Sequence, residues 1–233
     1  MASAYQAKNA SFFYFFSREV APTVSHLYAF DQFKMKGPGT TIPREKNTMS
    51  NDDTDRINGF RREDLNLLKR GLQSHPDNTE FKLRAKNRWI DGAQSLSLVS
   101  SFHGMGREFT ARSTPFIQTT DTPPVLLGKD GGPSPMEELL VALASSVTTS
   151  LAYRAAFAGV RILEIECEVE GDFDVQTVMA TSAATEPGFR QIRVTVHVKS
   201  DASKQQLAEL CAASPVLETL VRPVSVSISI EKT

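Results

Sequence analysis

One stretch constrains the fold of this chain more than any other: GGPSPMEELLVALASSVTTSLAYRAAFAGV, from Gly131 to Val160. Pro133, Ser134 and Pro135 make a helix start. Ser134 offers a side-chain oxygen to the first free N–H groups, and Pro135 suits the first helical position because an N–H there would have no partner. Glu137 and Glu138 follow in the first turn, against the positive end of the helix dipole. Gly159 makes the stop, since glycine reaches the left-handed conformation that ends many helices. Between Glu138 and Arg154 no residue is charged, and Leu139, Leu140, Leu143, Val147 and Leu151 are interspersed with Ala, Ser and Thr. The pattern predicts one helix of about 24 residues, roughly 36 Å long, buried on most sides. That is long enough to cross a bilayer. Ser145, Ser146, Thr148, Thr149 and Ser150 dilute the apolar run, however, and strand-rich polar sequence flanks it, so it reads as the core helix of a globular domain.

Composition narrows the function classes. At 233 residues and 40% hydrophobic content the chain can bury a sizeable core. A net charge of -1 and a pI near 6.4 leave no basic footprint for nucleic acid or anionic lipid, so neither partner is expected. The only cysteines, Cys167 and Cys211, make neither a disulfide framework nor a zinc set. No metal or cofactor is expected, and a reducing, cytoplasmic compartment fits. The aromatic run Phe12 to Phe16 is short and lacks a basic leader and a clean cleavage site, which argues against a signal peptide.

Residues 1–55 stand apart. Aromatic side chains crowd between Tyr5 and Phe33 without helical or strand period, Lys36 to Asn47 is rich in Gly, Pro and Lys, and a polar run closes the segment. We expect a poorly ordered extension ahead of a domain spanning 56–233. Met49 heads the polar MSNDDTD stretch and is a candidate native start; an organellar targeting segment is the rival reading. Leu65, Leu68 and Leu72 then predict an amphipathic helix from Arg61 to Gln73, packed on a sheet edge or a partner. Alternation through Phe81 to Trp89 and Leu96 to His103 around Asp91-Gly92 predicts a hairpin. GMGREFTAR reads as a loop, and Pro115 to Leu127 as an edge strand or extended connection. After the long helix, Ile162 to Glu170 and Ile192 to Val198 alternate as strands with one wet face. Ser203 to Ala213 is a second helix, Ser214-Pro215 a turn, and Pro223 to Ile230 a final strand. The order implies an α+β domain with an antiparallel or mixed sheet wrapped on the long central helix.

Several of these segments together resemble one family. Gly131 to Val160, the Gly171-Asp172 pair behind a Glu-rich strand, the Phe189 to Val198 strand and SPVLETLVRPVSV from Ser214 to Val226 are similar to the osmotically inducible protein C and organic hydroperoxide resistance (OsmC/Ohr) family, over roughly Ile57 to Thr233. Arg84 to Trp89 and the SFHGMG turn from Ser101 to Gly106 resemble one of its subgroups. The resemblance implies an OsmC-like fold in an intertwined homodimer. It also implies a thiol peroxidase acting on organic hydroperoxides, with a peroxidatic Cys in the long helix, a resolving Cys before the Pro of the second motif, and an activating Glu and Arg. Those positions fall on Ser146, Ser214, Glu137 and Arg107, so both sulfur atoms are replaced by oxygen.

That replacement decides the chemistry. Peroxide cleavage needs a low-pKa thiolate that can become a sulfenic acid, and a serine hydroxyl offers neither. Ser146 does not read as a hydrolase nucleophile either, because it sits in mid-helix with no neighbouring His; a small polar residue bonding back to the preceding turn is the plain reading. Cys211, three residues before Ser214, is the remaining candidate thiol, although its register with Leu207 and Leu210 marks it as core; Cys167 alternates with Leu163 and Ile165 and reads as core too. Glu137 is equally what any first helical turn prefers. Arg107 lies in a Gly-rich loop where exposed arginine is common. Lys129, Gly131 and Gly132 precede a helix N-terminus and could hold an anion. His103 reads as a turn residue and Glu164 to Glu170 as a solvated strand face. The expected function is therefore an OsmC-like, stress-related protein without thiol peroxidase activity. The alternatives are a binder of a small hydrophobic or hydroperoxide ligand in a pocket at the dimer interface, or a peroxidase using Cys211.

Overall fold

The structure is a computed structural model that describes residues 55–76, 79–110, 114–179, 187–222 and 224–232. The expected N-terminal extension and the Met49 start lie outside these residues.

The described chain opens with a two-residue hairpin, β1 (Arg56–Ile57) and β2 (Phe60–Arg61), turned by Asn58 and Gly59, both at positive φ. Helix α1 (Arg62–Ser74) follows as the leucine spacing predicts. Its buried Leu65 joins Ile57 and Ala156 in a cluster on which Phe60 packs. The helix therefore docks through Leu65 on the end of the long helix, at Ala156, not on a sheet edge, while Leu68 stays exposed.

Strands β3 (Lys86–Asp91) and β4 (Gln94–Val99) form the expected hairpin, with Gly92 at φ 53 in the turn. Strand β7 (Phe116–Thr120) adds antiparallel to β4, giving the order β3-β4-β7 and putting the proline-rich segment at an edge. GMGREFTAR is not a plain loop. It contributes to a small hairpin, β5 (Phe102–Gly104) with β6 (Arg107–Phe109), because Met105 and Gly106 both take positive φ and so make a turn whose twist suits paired strands.

The long helix is α2 (Pro135–Phe157). Ser134 caps it through a reciprocal capping box with Glu137, and Gly159 follows its end at φ 75, as the sequence requires. Leu143, Val147, Leu151 and Ala155 are buried, one residue in four along a single stripe. Strand β8 (Ile162–Phe173) and two later helices, α4 (Lys204–Cys211) and α5 (Pro215–Val221), pack against α2. The expectation of burial on most sides is not met within one chain: Val141 is 54% exposed, and Tyr153 and Phe157 are exposed as well. A single chain supplies neighbours for one stripe only.

Strand β8 pairs antiparallel with β9 (Phe189–Ser200), and a one-turn helix, α3 (Val175–Val178), follows β8. Ile165, Cys167 and Val169 face inward while the intervening glutamates face out. Ser214 and Pro215 do not make a mere turn; Ser214 is the N-cap of α5, because its hydroxyl accepts from the Leu217 N–H. The fold is α+β and antiparallel throughout, but the described strands make four separate ladders instead of one sheet wrapped on the helix. The final alternating segment, 224–232, has no ladder partner among the described residues, and Val224, Val226, Ile228 and Ile230 are exposed at 57 to 89%. Among the described residues no backbone ladder receives it, so alternation alone does not make it a strand. Pro223 lies outside the described residues.

Candidate functional site

Ser146 and Ser214 meet. Ser146 lies in the middle of α2 and Ser214 is the residue before α5, and packing of α5 on α2 brings their Oγ atoms to 2.8 Å. The Ser146 Oγ also accepts from the Val216 N–H at 3.3 Å, and the Ser214 Oγ accepts from the Leu217 N–H at 3.4 Å. Ser214 is fully buried, at 0% exposure, while Ser146 is half-buried.

Counting protons orients the pair. Each hydroxyl has one hydrogen to donate. If Ser146 donated to Ser214, the buried Ser214 hydrogen would have no acceptor among the described residues, and an unmade buried hydrogen bond costs about 1–3 kcal/mol. If Ser214 donates to Ser146, both backbone N–H groups and the Ser214 hydroxyl are satisfied, and the Ser146 hydrogen has no acceptor among the described residues. It then serves as a donor on the side that is not packed.

That side is a cavity of about 580 Å³. Ser145, Ser146, Thr149, Ser150, Tyr153 and Arg154 line it from α2, and Ala213 and Pro215 from the connection between α4 and α5. The residues recur every three or four positions, which places them on one face of the helix. No histidine, carboxylate or thiol is among them. The arrangement offers hydrogen-bond donors and a guanidinium beside apolar surface, and it has neither a general base for Ser146 nor a sulfur for redox chemistry.

The other residues singled out from sequence lie elsewhere. Glu137 is held at the helix start: its Oε2 accepts from the Ser134 hydroxyl and from the Ser134 N–H, both at 2.7 Å. The Ser134 side chain, and then its backbone N–H, pull the Glu137 carboxyl below the usual range. It precedes Ser146 by nine positions, or about 13 Å along the axis, so it does not touch the pair. Arg107 sits on β6 with its guanidinium over the Phe109 ring, 4.4 Å from the centroid. Cys211, at the end of α4, is half-buried and does not line the cavity; burial pushes its thiol pKa up. Burial likewise raises Cys167, with an added push from the nearby Cys211. Neither is poised as a thiolate.

The glycine-rich loop before α2 does hold an anion, and the anion is internal. Asp121, 1% exposed, accepts from the N–H groups of Lys129 at 3.1 Å and Gly131 at 3.0 Å, from the Gln94 side chain at 3.1 Å and from the Thr122 N–H at 2.8 Å. Burial alone would raise its pKa, but the donors from Gly131, Thr122, Gln94 and Lys129 together outweigh that and hold it below the ordinary carboxylate value. The Lys129 ammonium pairs with Asp91 at 2.9 Å. Gly132 presses so close to the Thr119 carbonyl that a Cβ would strike it. The loop's N–H groups are thus taken up by the chain's own carboxylate, which aims the start of α2 and occupies the place an external anion could have taken. Asp121 was missed from sequence because nothing near it in the chain marks it as an acceptor. Asn58 was missed for the same reason; it joins β1–β2 to the end of α2 by donating to the Val160 carbonyl at 3.0 Å and accepting from the Ile162 N–H at 2.8 Å.

Residues 128–229 match the OsmC-like protein family. Among solved structures, an OsmC-like protein from Mycoplasma pneumoniae is similar at 17% identity, over 60% of this chain and 87% of that one, with a TM-score of 0.45. An organic hydroperoxide resistance protein OsmC from Legionella pneumophila is similar at 16% identity, over 60% of this chain and 88% of that one, with a TM-score of 0.38. No curated protein matches the chain.

Proposed function

We propose, on the premise that residues 128–229 match the OsmC-like protein family, that this chain binds a small, largely apolar ligand in the cavity over Ser146 and has no thiol peroxidase activity. The observation that carries the reading is the Ser146–Ser214 hydrogen bond of 2.8 Å, which stands where the family resemblance sets two cysteines. Two hydroxyls can hold a ligand oxygen but cannot be oxidised and re-reduced by a peroxide and a dithiol. The free Ser146 hydrogen supplies one directed donor, and Ala213, Pro215 and the Tyr153 ring supply apolar wall.

We also propose that the functional form is a homodimer. The segment carrying Val226, Ile228 and Ile230 has no ladder partner among the described residues and alternates apolar with polar side chains, a pattern that a second copy can take up as an added strand. The exposed apolar flank of α2 at Val141 and Phe157 needs cover of the same kind. Sedimentation at micromolar concentration is expected to show a dimer, and a monodisperse monomer would remove this part.

The test of function has two arms. Consumption of an alkyl hydroperoxide in the presence of dithiol is expected to stay at the uncatalysed rate, and native mass spectrometry is expected to show a retained small molecule displaced by Ser146→Trp. Turnover abolished by Cys211→Ser would replace this reading with that of a peroxidase using Cys211.

A further inference from the structure

A second cavity, of about 360 Å³, is built by the first elements of the domain. Arg56 and Arg61 of the β1–β2 hairpin line it, with Asp64 and Leu68 of α1 and the rings of Phe60 and Tyr153. Tyr153 is the one residue it shares with the cavity over Ser146, and it does not use the α2 flank at Val141 and Phe157. Its walls are set within one chain. Tyr153 stacks on Phe60 with ring centroids 4.5 Å apart, and Asn58 ties the hairpin to Val160 and Ile162.

The two arginines are what the hairpin alone does not explain. Arg56 and Arg61 are direct partners across the β1–β2 ladder, and both face the cavity. Like charges set opposite one another on paired strands destabilise the pairing. Among the described residues Arg56 donates to the Gly59 carbonyl at 3.1 Å, and Arg61 meets Glu63 at 3.5 Å, the two side chains being 48% and 66% exposed. So open an ion pair offsets little of the repulsion. Asp64 also lines the cavity, and among the described residues it pairs with neither arginine.

We propose that this cavity binds an aromatic phosphate monoester of mononucleotide size, with its phosphate between Arg56 and Arg61 and its ring system against the Phe60–Tyr153 wall. A phosphate monoester carries a charge of about −1.5 to −2 at neutral pH and three acceptor oxygens, so it engages two guanidiniums at once. A carboxylate, with one charge, leaves one of the two arginines uncompensated. Asp64 is an acceptor for hydroxyl or amino groups in the body of the ligand, and it repels a further phosphate. The aromatic wall and Leu68 supply the apolar contact, and the volume suits one nucleoside.

The experiment is calorimetric titration of the full chain with adenosine monophosphate, adenosine and inorganic phosphate, on wild type, Arg61→Gln and Arg61→Lys, at one ionic strength. Wild type is expected to bind adenosine monophosphate at least about tenfold more tightly than adenosine, in line with charge-assisted contacts, and more tightly than inorganic phosphate. Arg61→Gln is expected to remove the preference over adenosine and leave adenosine binding unchanged, and Arg61→Lys to restore part of it. Thermal unfolding separates this from a role in the fold. Without ligand Arg61→Gln is expected to unfold no earlier than wild type, because one of two opposed charges is gone, and adenosine monophosphate should raise the wild-type midpoint more than that of the variant. If Arg61→Gln does not fold, Arg56→Gln takes its place and the wild-type ratio still decides. Equal binding of adenosine monophosphate and adenosine by wild type, an undiminished preference in Arg61→Gln, or failure of all three probes to bind overturns the inference. Inorganic phosphate binding as tightly as adenosine monophosphate overturns the ring wall and with it the ligand class.

Discussion

Returning sulfur to the two serine positions gives the sharpest test of the site geometry. In Ser146→Cys/Ser214→Cys the two Sγ atoms would replace oxygens that lie 2.8 Å apart, close enough that small rotamer shifts bring them to the 2.05 Å of a disulfide. The bridge would close a loop of 68 residues. In the chain-entropy treatment such a loop stabilises the folded state by about 4 kcal/mol. With a urea m-value of about 2 kcal/mol/M, the oxidised variant should unfold about 2 M later than the reduced one. The assay is urea unfolding of oxidised and reduced samples at one protein concentration, with peptide mapping to locate the bridge. Cys167 and Cys211 should remain as thiols, since burial holds both pKa values up and slows their oxidation. A variant that keeps all its thiols under mild oxidant, or that bridges through Cys211, would refute the placement of α5 against α2. A bridge between the right residues with no rise in midpoint would refute the loop-entropy magnitude.

Other expectations follow from the same packing. Ser146→Ala should cost about 1–3 kcal/mol, because it leaves the buried Ser214 hydroxyl without an acceptor, and Ser214→Ala about 1 kcal/mol for the lost α5 cap. The double variant should cost less than the sum, and additivity within about 0.5 kcal/mol in urea unfolding would show that the pair does not interact. Leu151→Ala, at a position 0% exposed, should lower stability by about 3–5 kcal/mol, measured as a midpoint shift at unchanged m-value. Asn58→Ala should be worse than Asn58→Gly by about 1 kcal/mol: both lose the bonds to Val160 and Ile162, but only alanine is strained at φ 51. The folded-state pKa values of Asp121 and Glu137 are depressed, so both carboxylates stabilise the fold above their ordinary pKa of about 4 and lose that contribution as pH falls below it. Stability should therefore fall on acidification, and less steeply in Asp121→Asn. That variant should already be destabilised at neutral pH, because an amide NH2 would face backbone donors on one side.

The sequence by itself determined the elements whose signals are local. Ser134, Pro135 and Glu137 specify the start of α2 and Gly159 its end, because capping is settled within four residues. Alternation specified β8 and β9, and the leucine spacing specified α1 to within a residue at each end. The absence of cysteine at Ser146 and Ser214 was legible in the same way. Tertiary structure decided the rest. That Ser146 and Ser214 touch depends on how α5 packs on α2, and which hydroxyl donates depends on the burial of Ser214. That the glycine loop is occupied by Asp121 depends on a strand end meeting a helix start, a contact no periodicity encodes. The same holds for the last alternating segment, whose pattern marks it as strand although no ladder among the described residues receives it. A side chain's partners across the fold are set by packing, and the sequence records only that each side chain is able to have one.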